Sequence, residues 1–232
     1  MEQTQTKPAI PAACWSCNFE TSHENFCTAC GRIQPVPAGA DYFSFFGLPQ
    51  NLQIDAAELE KKFHALSWKL HPDNFGQATE RERELAAERS SQLNDAYRTL
   101  RDPVRRVEYL LQSAGVRKEG TTKQQAPPEL LEEVFELNEW LDELRSARQS
   151  SGGSETVALK ARLEAAQHRF ERKLDEVDAQ LGGAFAQWDA ALDAAADGSR
   201  RAQLMAQLNE VLNRRSYIRN LVTNVQKELT ES

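Results

Sequence analysis

The chain has 232 residues, with 27% charged, 11 glycines and a formal net charge of −7. That length holds one or two ordinary domains, and the acidic balance argues against a nucleic-acid binder. No apolar run reaches membrane-spanning length. The first thirteen residues carry one Lys, one Glu and no Arg, without the apolar core of a signal peptide or the basic character of a transit peptide. A cytoplasmic location is therefore expected. Neither G-x-x-x-x-G-K-[ST] nor G-x-G-x-x-G occurs, so the chain has no phosphate-binding glycine motif of its own.

All four cysteines fall near the start: Cys14, Cys17, Cys27 and Cys30, two C-x2-C pairs separated by nine residues. Each pair forms a knuckle that aims two thiolates at one point, and two facing knuckles supply a tetrahedron of sulfur. Such a site has no open position for a catalytic water, so one structural zinc ion is expected. Iron in a rubredoxin-like site is the alternative. No βαβ pattern flanks either pair to support a redox role, and disulfides do not suit a reducing cytosol. A segment of this size cannot bury a stable core, so metal binding would supply its folding free energy. Trp15, Phe19 and Phe26 are expected to pack around the metal, and His23 reads as a solvated loop residue. Pro35, Pro37, Ala38 and Ala40 form a spacer.

Leu59, Phe63, Leu66 and Leu70 recur at helical spacing, after Asp55 and Glu58 at a capping-box-like start. Lys62 and Lys69, seven apart, share one side of this helix, and Lys61 lies further round. Pro72 disfavours helix at His71, so the helix should stop there. Leu85, Leu93, Ala96, Tyr97 and Leu100 mark a second amphipathic helix. The expectation is an antiparallel pair displaying His71 and Asp73 on a short loop. On a chain without a nucleotide motif, His71-Pro72-Asp73 suggests an activator of another protein's ATPase; taken alone it reads more readily as a surface turn. Acid–base chemistry by His71 with Asp73 has no accompanying nucleophile or metal motif, so an enzyme is not expected.

Beyond a linker from Gly115 to Pro128 the pattern is helical. Leu130, Val134, Leu137, Leu141 and Leu144 form one stripe. Ser154 is a plausible N-cap for the next helix, which runs through Val157, Leu163, Phe170, Leu174, Val177 and Leu181. Gly182-Gly183 should break or kink it before a short segment with Phe185, Trp188 and Leu192. After Asp197-Gly198-Ser199, a last stripe holds Leu204, Leu208, Val211, Ile218, Val222, Val225 and Leu229. Leu131, Phe135 and Tyr217 sit off these stripes. Either they widen the core face or they form an exposed docking patch. Seven acidic residues and no basic ones lie between Glu129 and Leu144, which suits a partner with a basic rim.

The segments "DYFSFFGLP", "LHPDNF" and "LNDAYRTLRDPVRRVEYLL" resemble a J-domain of the variety found in the HscB family of iron–sulfur co-chaperones, and the resemblance covers roughly residues 41–232. It implies an all-α fold. A J-domain helical hairpin (39–115) and a linker (116–128) lead to a C-terminal three-helix bundle (129–232), with a small zinc-ribbon or knuckle-like module in front (1–38). Some members, chiefly eukaryotic, carry such a cysteine module, and many bacterial ones lack it. The resemblance implies that Lys61, Lys62, Lys69, His71, Pro72 and Asp73 meet a DnaK/HscA-type chaperone and stimulate its ATPase. It implies that an IscU-type scaffold is bound by Leu131, Phe135, Glu136 and Glu139, matched on "PPELLEEVFELNEWLDEL", and by Tyr217 in the last helix. Glu132 and Asn138 depart from the family pattern. The alternative is a general J-domain co-chaperone for other clients, against which the lack of a Gly/Phe-rich segment counts.

Overall fold

The computed structural model describes residues 12–21, 25–37, 40–117, 127–149 and 153–230, with side chains of 12, 149 and 153–155 left aside. Two compact units divide these residues: one drawn from the chain up to Gln50 together with Ile54–Arg106, the other from Asn51–Gln53 together with Val107 onward.

The first unit begins with two short strands, β1 (Ala12–Ala13) and β2 (Glu20–Thr21), paired antiparallel with Ala12 opposite Thr21. Helix α1 (Tyr42–Phe45) starts at a capping box in which Asp41 accepts the Ser44 N–H at 2.7 Å and Ser44 Oγ accepts the Asp41 N–H at 3.2 Å. Helix α2 (Ala56–Leu70) is capped by Asp55, which accepts the N–H groups of Ala57 and Glu58. It stops where Pro72 requires, with His71 extended at ψ 128°. A 3₁₀ turn, Pro72–Phe75, leads to α3 (Glu80–Arg101), whose start is a Thr79/Glu82 capping box. The hairpin of α2 and α3 buries Leu59 and Leu70 against Leu85, Leu93, Ala96 and Leu100, with Phe63 stacked on Tyr97 at 4.1 Å. Phe43 of α1 joins this core.

Helix α4 (Pro103–Ser113) is followed by Gly115, whose φ of 72° is that of a left-handed cap. The linker expected beyond it lies mostly outside the described residues. In the second unit, a 3₁₀ turn at Pro128–Leu130 opens α5 (Leu131–Gln149), followed by α6 (Gly153–Asp193) and α7 (Gly198–Thr230). Asp197 accepts the Arg200 N–H at 2.8 Å and starts α7 where expected. Three ion pairs and a hydrogen bond show the helix directions. Glu129 meets Arg214 and Glu228 meets Arg145, so α5 and α7 run parallel; Asp178 meets Arg215 and Gln180 meets Arg214, so α6 runs against them. The core between them holds Leu137, Leu144, Leu163, Phe170, Trp188, Leu208, Leu212 and Val225. This is the all-α hairpin-plus-bundle architecture expected from sequence.

Several local expectations do not hold. Helix α6 passes unbroken through Gly182 and Gly183, because Leu181, Ala184, Phe185 and Trp188 around them are buried against the bundle. Two glycines cost a helix about 2 kcal/mol in propensity, and burying those side chains offsets more than that. Val157, placed on the apolar stripe, is 68% exposed. Helix α6 begins at Gly153, one residue ahead of the cap assigned to Ser154.

Candidate functional site: a metal centre, an exposed His-Pro-Asp turn and an apolar patch

The four cysteine sulfurs lie within 4.8 Å of one another, with Cys14 Sγ 3.7 Å from Cys30 Sγ and Cys17 Sγ 3.7 Å from Cys27 Sγ. A tetrahedral ion with bonds of about 2.3 Å sets sulfurs about 3.8 Å apart, so the cluster has the size of such a site. Disulfides, with sulfurs about 2.05 Å apart, do not fit it. The two knuckles repeat one hydrogen-bond scheme. Cys14 N–H donates to Phe19 O and Asn18 N–H to Cys14 O; Cys27 N–H donates to Arg32 O and Gly31 N–H to Cys27 O. Asn18 and Gly31 hold the left-handed turns, at φ of 58° and 72°.

Donors surround the sulfurs as well. Ser16 N–H reaches Cys14 Sγ at 3.4 Å and Gln34 Nε2 reaches it at 3.3 Å. Desolvation pushes the Cys14 thiol up, but the N–H groups of Cys17 and Ser16 and the neighbouring sulfurs outweigh it and bring it down to about 6. Cys17 goes the other way: the Phe19 backbone favours its thiolate, while desolvation and the three other sulfurs push it to about 12. Four thiolates this close repel, and a cation between them removes the repulsion. The residues therefore fit a metal ion. When bound, it would cross-link the two knuckles.

The expected aromatic packing around the metal is replaced by a different arrangement. Ile33, Cys14 and Cys27 are buried, whereas Trp15 and Phe19 are 36% and 51% exposed. Trp15 instead donates its indole N–H to Ile33 O at 2.7 Å and carries Arg32 over its ring. Phe26, the third expected aromatic, is half-buried and bridges to Ile33. His23 lies outside the described residues.

Sequence reasoning missed how the module is held. Arg89 of α3, 2% exposed, donates from Nε to Gln34 O and from Nη2 to Pro35 O, each at 2.9 Å, and its guanidinium sits 5.4 Å from the Phe45 ring centre. Arg32 pairs with Glu82 at 3.5 Å. An arginine among many charges on a polar helix gives no signal of its role. Gly31, directly after the last cysteine, was a usable cue for the second knuckle.

The His71-Pro72-Asp73 turn is exposed. His71 Nδ1 accepts the Asp73 N–H at 3.3 Å, which places the proton of a neutral ring on Nε2. Asp73 Oδ2, 3.5 Å from Nδ1, is then a neighbour rather than a hydrogen-bond partner. Asn74 Nδ2 donates to Trp68 O at 2.6 Å, tying the turn to the open carbonyls at the end of α2. Lys61 and Lys69 project from α2 into solvent, while Lys62 donates to Phe46 O at 3.3 Å and lies 3.8 Å from Glu58. Trp68, which the sequence left undecided, is 79% exposed.

On α5, Leu131 and Phe135 are 54% and 65% exposed, although Leu130, Leu137, Leu141 and Leu144 are buried. The two off-stripe side chains stand clear of the core. Glu136 and Glu139 are exposed beside them, and Glu132 lies between them in sequence. Tyr217 is half-buried, and burial pushes its phenol above the usual value. The Arg214–Glu129 pair, 3.5 Å long, brings the turn of α7 before Tyr217 to the start of α5. Among the described residues no helix is long and apolar enough to cross a membrane.

Residues 41–109 match the DnaJ domain family. The chain is 37% identical over 155 residues to the co-chaperone protein HscB homolog of Vibrio cholerae, a match spanning 66% of this chain and 85% of that protein. It is 39% identical over 134 residues to the iron–sulfur cluster co-chaperone protein HscB homolog of Arabidopsis thaliana, spanning 57% and 52% of the two. Among solved structures, human co-chaperone protein HscB superposes with a TM-score of 0.66 at 25% identity, covering 94% of this chain and 98% of that one. Co-chaperones of this kind do no bond chemistry, in keeping with the expectation of a non-enzyme. With a J-domain turn, a helical bundle and a relative matched over most of its length, the chain belongs to the HscB family of co-chaperones.

Proposed function

We propose that this chain is a cytoplasmic co-chaperone of iron–sulfur cluster assembly. It binds an IscU-type scaffold and delivers it to a DnaK/HscA-type chaperone while stimulating that chaperone's ATPase. In this reading residues 39–115 act on the chaperone, 129–232 hold the scaffold, and 1–38 carry one structural zinc ion on Cys14, Cys17, Cys27 and Cys30. Lys61, Lys62 and Lys69 steer the hairpin onto an acidic surface. His71 and Asp73 engage the nucleotide domain, and Pro72 fixes their geometry. The chain supplies differential binding to one state of its partner.

The observation that carries the scaffold assignment is the exposure of Leu131 and Phe135 on an otherwise core-forming helix. Large apolar side chains left in water beside acidic groups suit a partner with an apolar pocket and a basic rim. Leu131, Phe135, Glu136, Glu139 and Tyr217 form the proposed contact.

The test is ATP turnover by the cognate DnaK-type chaperone with this protein alone, with an IscU-type scaffold, and with an unrelated unfolded client. Stimulation that requires His71 and rises further only with the scaffold is expected. Equal stimulation by either client would assign a general J-domain co-chaperone instead.

A further inference from the structure

The first unit holds a groove of about 440 Å³ that draws on both its metal module and its helical hairpin. Asn25 and Phe26 line it from the module, Phe45 and Phe46 from α1 and its C-cap, and Lys62 and Lys69 from α2. Aromatic rings beside ammonium groups make a site for a peptide that is both apolar and acidic. Lys62 and Lys69 stand about 10.5 Å apart along the helix, a spacing of two turns. Lys69 has no acidic partner among the described residues, and Lys62 donates to Phe46 O and lies 3.8 Å from Glu58. On a chain of net charge −7 this basic rim stands out from its surroundings.

The module's side of the groove is built in. Gln34 N–H donates to Asn25 O at 2.9 Å, and Phe26 bridges to Ile33. The Gln34 carbonyl is in turn held by the buried Arg89 guanidinium, and Gln34 Nε2 donates to Cys14 Sγ. One residue thus links Asn25, a metal-site sulfur and α3. A spacer alone would leave the module free to swing; these bonds hold Asn25 and Phe26 beside the lysines.

We infer that this groove binds an acidic, apolar segment of the Hsp70-type chaperone, and that the cysteine module is therefore part of the chaperone-docking surface. The inference rests on the J-domain reading above, since the groove lies on the helix that ends in His71-Pro72-Asp73. It gives the metal module a function beyond its own folding.

The test titrates the full-length, metal-loaded protein into the cognate Hsp70-type chaperone and follows ATP turnover at low salt. Asn25→Glu is expected to raise the half-saturating concentration about tenfold, and Asn25→Lys to lower it severalfold. Equal metal content in both variants shows that the module is intact, and opposite responses to opposite charges separate contact from misfolding. Half-saturation that does not move, or moves the same way in both variants, overturns the groove. So does an Asn25→Glu variant whose main effect is on self-association, seen by sedimentation of the chain alone; the occupant is then a second copy, whose α5 is also acidic and apolar. His71→Gln isolates the underlying reading. If it leaves stimulation intact, that reading falls and the groove with it; if it abolishes stimulation while Asn25 has no effect, the groove alone is wrong.

Discussion

Arg89 shows how much one side chain can carry. Burial pulls its pKa below the usual guanidinium value, yet arginine stays charged, so its charge sits among carbonyl dipoles and the Phe45 ring. Arg89→Ala would leave the Gln34 and Pro35 carbonyls without their donor. A loss of about 2–4 kcal/mol in denaturant unfolding of the first unit is expected, and Arg89→Lys should not restore it, because an ammonium cannot donate in two fixed directions. Glu228 is the comparable residue in the bundle. Hydrogen bonding and charge from Arg145, with help from Arg148, hold its carboxyl below the usual carboxylate range. Its folded pKa therefore lies below its unfolded value. The stabilisation is fully present above about pH 4.3 and is lost as pH falls through the folded pKa. The Tm of the wild type should decline as pH falls below about 4.3, and Glu228→Gln should start lower and decline less; parallel declines would remove Glu228 as a cause. Neither role was legible in the sequence, since an Arg or Glu on a polar helix does not announce its partner.

At the scale of elements, capping and proline rules located most helix ends, because Asp55, Pro72, Gly115 and Asp197 act on their own few residues. The glycine pair failed as a cue, since neighbouring buried side chains decide whether a helix continues. Gly182 and Gly183 are exposed, and a Cβ at either meets nothing within 4 Å. Gly182→Ala and Gly183→Ala should each raise the stability of the bundle by about 0.5–1 kcal/mol, read from thermal or urea unfolding. A decrease would mean that α6 needs to bend there. Helix α5 offers the opposite case, in which the exposed Leu131 and Phe135 belong to the proposed docking patch. Leu131→Ala and Phe135→Ala should change stability by no more than about 0.5 kcal/mol. Together they should weaken scaffold binding by about 2 kcal/mol, roughly thirtyfold. Calorimetric titration with an IscU-type protein measures this, and unchanged affinity would show that the docking patch lies elsewhere.

For the whole molecule, the metal is expected to stabilise the first unit, to which Arg89 ties the module, and not the second. The described residues between 12 and 37 hold two two-residue strands and no helix. Chelation should release one metal ion per chain and expose four thiols to a coloured reagent, with little change in helical circular dichroism. The thermal transition of the second unit should not move, since its core contains no residue of the module. A large loss of helicity on chelation would contradict this independence.

Much of this protein is local and was therefore readable from its residues. The C-x2-C spacing, the Pro72 stop and the helical stripes each depend on residues within a turn or two of one another, and the J-domain motifs are contiguous. The sequence alone thus determined an all-α chain with a four-cysteine centre and an exposed His-Pro-Asp turn. Only the tertiary structure decided whether Leu131 and Phe135 face water or the core, because a stripe shows which residues share a face and not how wide a face the neighbours cover. It likewise decided that Gln34 and Arg89 join the metal module to α3, and that Asn25 and Phe26 share a groove with two lysines. Those contacts join residues more than thirty positions apart, and no local preference encodes them.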